Sequence, residues 1–417
     1  MSLLDRHLPL LSWIPKARAA RFLPTDYRAR TRAAQRAYRT ARALDLPVLT
    51  SAGDPPDVAA LQCQLGRRRN ARVQPLAEDP RTLPLGAGEV VFAPQSLGVN
   101  RYITGYGGAY LFLDIGQFTD PRGVQNTRSF KTVPAWGRCR VLRSNHPEVA
   151  AGSVFYGFWP LAAFCVRRVS TDGPVVQQEL PRFSGPREWL KLIRMDDYAA
   201  TDYAIDNYEY VKIGITFARE LGDRDFFGGR RLVISSASSA SGQIIAMAVK
   251  ERYPDFPVVG LTSDNNLGRV RAMSYFDAAY SYGSLAAAAN DGPSLYFDVL
   301  GKEEITTAVF DHFRLARWWI YGEGSTASYW RLLRRNRRGT FYTNLVDSYD
   351  YQLRHGITDG ELLSECVALA ERHQLARRWY ADARLISTGR ALFDLYRGYV
   401  DGTHTGERVI YRSPLVE

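Results

Sequence analysis

Val233-Ile234-Ser235-Ser236-Ala237-Ser238-Ser239-Ala240-Ser241-Gly242 decides how this chain is read. Arg231–Ser236 has the composition of a short buried strand, the serines and alanines after it form a loop of small side chains, and Ala240–Arg252 reads as a helix. A dinucleotide site needs such a loop, because backbone N–H groups must approach a pyrophosphate whose charge is favoured at a helix N-terminus. Only Gly242 is a glycine, so the G-x-G-x-x-G rule is not met and serine hydroxyls have to act as donors. A serine-capped turn with no ligand is the competing reading.

The pattern continues downstream. Pro257–Thr262, Ala278–Tyr282 and Leu295–Val299 read as strands and Leu267–Ser274 as a second helix. Strands alternating with helices of this length imply parallel pairing through right-handed crossovers, a doubly wound sheet. The second strand ends about 26 residues after the first, where an NAD site places an acid on the ribose hydroxyls. Here Thr262 and Ser263 occupy that tip. Asn265, Asn266, Arg269 and Arg271 follow, groups suited to a 2′-phosphate, with Asp264 among them. That set favours NADP(H) over NAD(H).

Upstream the character differs. Within residues 57–190, Val58–Leu65, Glu89–Ala93, Ala109–Leu113, Cys139–Leu142 and Ser153–Tyr156 are short apolar or alternating runs. Turn signals such as Pro84-Leu85-Gly86 and Asp120-Pro121-Arg122-Gly123 separate them. Asp197–Leu221 returns to helical spacing. The expected organisation is a basic helix and linker over 1–56, a β-rich domain over 57–190, a nucleotide-binding domain over 191–345 and a helical segment over 346–417 that returns to the first domain. That last segment ends in a strand at Arg408–Arg412.

The 417 residues are 46% hydrophobic, enough to bury large cores, which excludes disorder as the main state. The net charge is +11, and residues 1–46 hold ten basic side chains against three acidic ones, a net of +7. The remainder is ordinary in charge, and no nucleic-acid motif accompanies the arginines, so a nucleic-acid partner is not expected. The basic start has the composition of a transit sequence and also of a solvated helix, the reading preferred here. Cys63, Cys139, Cys165 and Cys366 are scattered, which fits a reducing, cytoplasmic setting and offers no zinc or disulfide framework. No apolar run approaches the roughly 20 residues of a membrane span.

Gly88-Glu89-Val90-Val91-Phe92 with Gly98-Val99-Asn100, Val133–Val141 and Gly152–Pro160 resemble segments of the quinone-reductase branch of the medium-chain dehydrogenase/reductase superfamily. Trp136-Gly137, Tyr156–Pro160, Ser235–Ser239 and Gly260–Ser263 together resemble the DUF2855 family over about residues 57–417. The resemblance implies a GroES-like β-rich domain joined to a Rossmann-like doubly wound parallel sheet, with a nucleotide cleft between them. Zinc-dependent members carry Cys and Gly-His-Glu ligands in the first domain. Those are missing from this sequence, so a metal-free reaction is expected.

The candidate cofactor-binding residues are Ser235, Ser236, Ser238, Ser239, Ser241, Gly242, Thr262, Ser263, Asn265 and Arg269. Asp298 and Gly301 join them where the superfamily's chain passes the nicotinamide ribose. Tyr102, with Asn100, is the candidate catalytic donor that would polarise a carbonyl. Trp136, Tyr156 and Trp159 are candidate substrate-pocket walls, and the turn histidine His146 an alternative acid/base. The expected function is zinc-independent, NADPH-dependent reduction of an activated alkene, quinone or ketone, a small molecule. The alternative is a lyase or ligand-binding protein of the same fold that has lost hydride transfer. A homo-oligomer is left open.

Overall fold

The computed structural model describes residues 58–64, 67–100, 103–104, 130–172, 175–180, 187–195, 208–321, 326–341, 344–375, 383–404 and 408–416. The basic start, the run 109–113 and the candidate donor Tyr102 lie outside them. The described residues fall into two compact units, one spanning Tyr208–Leu369 and the other made of the preceding β-rich residues with those from Ala370 onward.

In the β-rich unit the strands are β1 (Ala59–Gln64), β2 (Arg67–Pro75), β3 (Glu89–Val99), β4 (Phe130–Thr132), β5 (Pro134–Ser144), β6 (Val154–Pro160), β7 (Cys165–Asp172), β8 (Val175–Gln178) and β9 (Lys191–Arg194). The eleven-residue β3 organises them. Its first residues pair antiparallel with β7, its middle with β5, and the chain β5-β6-β9-β8-β7 closes back on β3. Closure leaves no free edge around that ring, which suits a unit of short antiparallel strands. A small sheet β2-β1-β4 stands beside it, and Ala60, Val91, Ala93, Ala162, Phe164 and Val166 share one core.

The other unit alternates. It runs α1 (Tyr208–Asp223), β10 (Leu232–Ile234), α2 (Ala240–Arg252), β11 (Val258–Thr262), α3 (Asp264–Arg271), β12 (Ala278–Ser281), β13 (Ser294–Asp298), α4 (Glu303–His312), β14 (Leu315–Ile320), α5 (Thr326–Arg335), β15 (Gly339–Phe341), α6 (Asn344–His355) and α7 (Asp359–Arg372). Its six strands lie parallel in the order β12-β11-β10-β13-β14-β15. β10, β11 and β13 are buried at every position, the run of apolar residues a parallel sheet covered on both faces requires. From Ser241 to Val249 α2 is buried throughout, whereas α3 buries only Val270. The sheet is entered through a turn wound left-handed, with φ of 45° at Asp225, 49° at Phe226 and 51° at Phe227, and Phe226 stacks on Phe256 at 4.1 Å.

The chain then returns to the β-rich unit with β16 (Arg384–Ile386), α8 (Gly389–Asp401) and β17 (Val409–Tyr411). β17 adds antiparallel to Leu97–Val99 of β3, and the Tyr399 hydroxyl donates to the Val99 carbonyl. Among the described residues no helix is long and apolar enough to cross a membrane.

Candidate functional site

Because its strands are all parallel, the six-stranded sheet presents the loops after β10, β11, β12 and β13 along one edge. The chain leaves β10 towards β11 on one side and later returns as β13 on the other. That reversal of strand order is where open α/β sheets bind ligands.

Most of the candidate cofactor residues converge there. Ser239 caps α2, its hydroxyl accepting the Gly242 N–H at 3.1 Å. The Ser238 carbonyl accepts from Gln243 Nε2 at 2.8 Å and from Arg269 Nη2 at 3.3 Å, and its hydroxyl lies 3.3 Å from Thr262 Oγ1. Arg269 therefore reaches back from α3 to the serine loop. Arg271 does not. Its Nε donates to the Ala279 carbonyl of β12. Ser263 and Asn265 are exposed at the start of α3, where the Ser263 hydroxyl accepts from Asn266. The Ser241 hydroxyl is buried against that of Tyr321, at 3.4 Å.

Ser235, Asp298 and Gly301 form the framework beneath the loop. Asp298 is fully buried. Its Oδ1 accepts from Ser235 Oγ at 2.9 Å and the Gly301 N–H at 3.0 Å, and its Oδ2 from Thr306 Oγ1 at 2.6 Å. The Leu300 N–H donates in turn to Ser235 Oγ at 3.0 Å, so the loops after β10 and β13 are tied into one piece. Burial raises the Asp298 carboxyl above its ordinary range, opposed by the hydrogen bonds from Thr306, Gly301, Ser235 and Tyr296. A carboxyl raised in the fold contributes stability when protonated and loses it as pH rises from the unfolded value through the folded one. Asp298→Asn is therefore expected to gain on the wild type between pH 4.5 and pH 7.5 in urea unfolding. Asp298→Ala strands three donors and is expected to cost about 2–4 kcal/mol at either pH. A wild-type advantage over Asn that grows with pH contradicts this account.

The contacts of Tyr282 and Tyr275 at this edge were not foreseen. Ser236 has φ of +52°, a left-handed conformation uncommon outside glycine, and its N–H donates at 2.9 Å to the hydroxyl of Tyr282, which stands just beyond β12. Burial pushes the Tyr282 phenol up to about 12, the Ser236 N–H opposing and Asp298 adding to the rise, so it is protonated at neutral pH. Read as the last residue of a strand, Tyr282 gave no sequence signal of reaching over the sheet. Tyr275 was likewise missed, although its hydroxyl orients Gln243 at 2.9 Å. Gly242, an expected cofactor residue, is the point of closest packing. A Cβ built there would lie 2.7 Å from the Ser236 carbonyl oxygen and 3.1 Å from Ala237 Cα, so the helix can meet the loop this closely only through glycine. In the dinucleotide fingerprint, close packing of this kind belongs to the third glycine.

In the β-rich unit Asn100 follows β3, its carbonyl accepting the Ile103 N–H at 3.1 Å. Trp136 and Tyr156 are stacked with ring centroids 5.9 Å apart, and Trp136 lies 4.8 Å from Phe158. Trp159 does not join them. It pairs across the ladder with Ala135, one position out of phase with the Trp136–Phe158 pair, and alternation turns it to the opposite face. There it is fully buried, packs on Phe92 at 4.8 Å and donates its indole N–H to the Gly137 carbonyl at 3.0 Å. Tyr156 is as fully buried as Trp159, so of the three only Trp136 is partly exposed, and they do not form one pocket wall. His146 sits in a turn, its Nδ1 accepting the Glu148 N–H.

A family model described as "Protein of unknown function (DUF2855)" matches residues 118–327, half of the chain. The chain belongs to the DUF2855 family. The matched span is narrower than residues 57–417 and takes in the serine loop, Tyr282 and Asp298. No curated protein matches. Among solved structures, CurA from Vibrio vulnificus is 16% identical, with 86% of this chain and 100% of that one covered and a TM-score of 0.53. CurA from Vibrio vulnificus in complex with NADPH is likewise 16% identical, with coverages of 82% and 94% and a TM-score of 0.50. The quinone oxidoreductase from Coxiella burnetii is 12% identical, with coverages of 85% and 98% and a TM-score of 0.51. Likeness at these identities establishes the fold. This DUF2855 protein has a β-rich GroES-like unit and a Rossmann-like doubly wound parallel sheet, the fold it shares with these structures.

Proposed function

We propose that this DUF2855 protein is an NADPH-dependent oxidoreductase that reduces an activated alkene, quinone or ketone without a metal. One observation carries the reading. The loop after β10 meets α2 with no room for a Cβ at Gly242, at the switch point of a parallel sheet, and Arg269 is turned back onto that loop. The residues present fit the nucleotide. Ser238, Ser239, Ser241 and Gly242 would hold its pyrophosphate, Ser236 shaping the loop, with Thr262, Ser263, Asn265 and Arg269 on the 2′-phosphate side. Ser235, Asp298 and Gly301 would act by fixing the two loops that receive it. Bound NADPH would supply the hydride. The protein's task is then to polarise the acceptor, a role we assign to Tyr102 and Asn100, with the partly exposed Trp136 offering an apolar surface to the substrate. The NADPH complex of CurA, with the same fold, supports the choice of nucleotide.

Isothermal titration with NADPH tests the first step, and loss of NADPH absorbance with a panel of enones, quinones and ketones, before and after chelator treatment, tests the second. Absence of binding at millimolar NADPH rejects the reading. Activity abolished by chelation rejects its metal-free form. Arg269→Ala is expected to weaken NADPH about 10- to 100-fold, the worth of a charged hydrogen bond, with little change for NADH. An equal loss for both nucleotides would place Arg269 away from the 2′-phosphate.

A further inference from the structure

The serine loop poses a conformational problem that glycine-rich loops do not have. Ser236 must hold φ of +52°, where a side chain crowds the backbone, and its carbonyl must stay where Gly242 packs against it. In glycine-rich loops the backbone tolerates this without help. Here the Ser236 N–H has an acceptor 46 residues away, the Tyr282 hydroxyl at 2.9 Å. Tyr282 is half-buried and follows β12, two strands from β10 in the sheet, so its ring spans the edge on which the loop lies. Its phenol keeps its proton at neutral pH and accepts the amide hydrogen without bringing a negative charge to a site meant for phosphate.

We propose that Tyr282 is a positioning residue for the nucleotide: its hydroxyl, by accepting the Ser236 N–H, holds Ser236 in the left-handed conformation and so gives a serine loop the shape glycine would otherwise provide. This rests on the reading of Ser235–Gly242 as a phosphate loop. The same contact explains how a loop lacking the early glycines of the fingerprint keeps the close approach at Gly242.

The test compares wild type, Tyr282→Phe and the double variant Tyr282→Phe with Ser236→Gly, each checked for a cooperative melt. Two quantities are measured: NADPH affinity by isothermal titration, and exchange of the Ser236 amide hydrogen by NMR. Tyr282→Phe is expected to weaken NADPH about tenfold and to speed Ser236 exchange by at least about as much, the loss of one hydrogen bond. Adding Ser236→Gly is expected to restore affinity to within about threefold of wild type, because glycine adopts the conformation unaided. Unchanged Ser236 exchange in Tyr282→Phe overturns the proposal, as does a loss of affinity that glycine does not rescue, which would put the hydroxyl on the ligand itself. If wild type fails to bind NADPH, the nucleotide reading falls, and the exchange measurement alone still decides whether Tyr282 holds Ser236.

Discussion

Gly242→Ala is expected to abolish measurable NADPH binding at micromolar concentrations and to lower the melting temperature of the Tyr208–Leu369 unit. The added methyl would stand 2.7 Å from the Ser236 carbonyl oxygen and 3.1 Å from Ala237 Cα, and both atoms are backbone, so no side chain can rotate away. Either the loop is pushed outwards or the first turn of α2 tilts, and each displaces the N–H groups proposed for the phosphates. Overpacking of this kind costs about 1–3 kcal/mol in stability, about 2–12 °C for a unit of this size. Its effect on binding is larger, because the distorted atoms are the binding atoms. Gly268→Ala is the control. That glycine lies in the exposed helix α3 with nothing within 4 Å of its would-be Cβ, so the change is expected to stabilise by about 1 kcal/mol and leave affinity alone. Equal affinities for the two variants would show that the Gly242 contact has no bearing on the nucleotide.

Gly137→Ala is expected to be the most damaging single change in the β-rich unit. Gly137 stands opposite Leu97 in the β3–β5 ladder, beside the irregularity between Pro94 and Ser96, with φ of +152°. A Cβ there would overlap the Ser96 carbonyl oxygen and lie 2.8 Å from Leu97 Cα, and the Gly137 carbonyl already holds the Trp159 indole. Relief requires the two longest strands of the closed ring to separate. The expected cost exceeds about 4 kcal/mol, which should appear as insoluble or protease-sensitive protein. Gly152, in a turn with φ of +89° and open space around it, provides the comparison, with Gly152→Ala expected to cost about 1–2 kcal/mol. A soluble Gly137→Ala protein that melts with the wild type would refute the argument.

The architecture was legible where apolar runs and small-residue loops coincide. Ala240–Arg252 is a helix over the expected residues, and the strands around the serine loop differ from expectation by a residue or two at their ends. Helix α3 begins three residues earlier than its apolar spacing indicated. The Ser263-Asp264 start marks it, and with Val270 alone buried there is little periodicity to read. Strands β14 and β15 went unrecognised. One carries the large residues Trp318 and Trp319, and the other is three residues at a sheet edge. In the candidate site, sequence placed the serines and Arg269 near one another because they follow consecutive strands. It had no means of placing Tyr282, whose contact is set by the strand order of the folded sheet. The separation of Trp159 from Trp136 was equally hidden, since it depends on which residue of β6 faces which of β5.

The addition of β17 to β3 has a consequence for the order in which the protein is made. Tyr399 and Val99, joined by a hydrogen bond, are 300 positions apart in the chain. At a translation rate of about 5–20 residues per second, β3 waits roughly 15–60 s on the ribosome for the residues that complete its sheet. The parallel-sheet unit is synthesised within that interval and has all its strands before the earlier unit does. A nascent chain stalled near residue 405, its last residues still held inside the ribosome and β17 not yet made, is expected to protect the parallel-sheet unit from protease while the half made first remains open to attack.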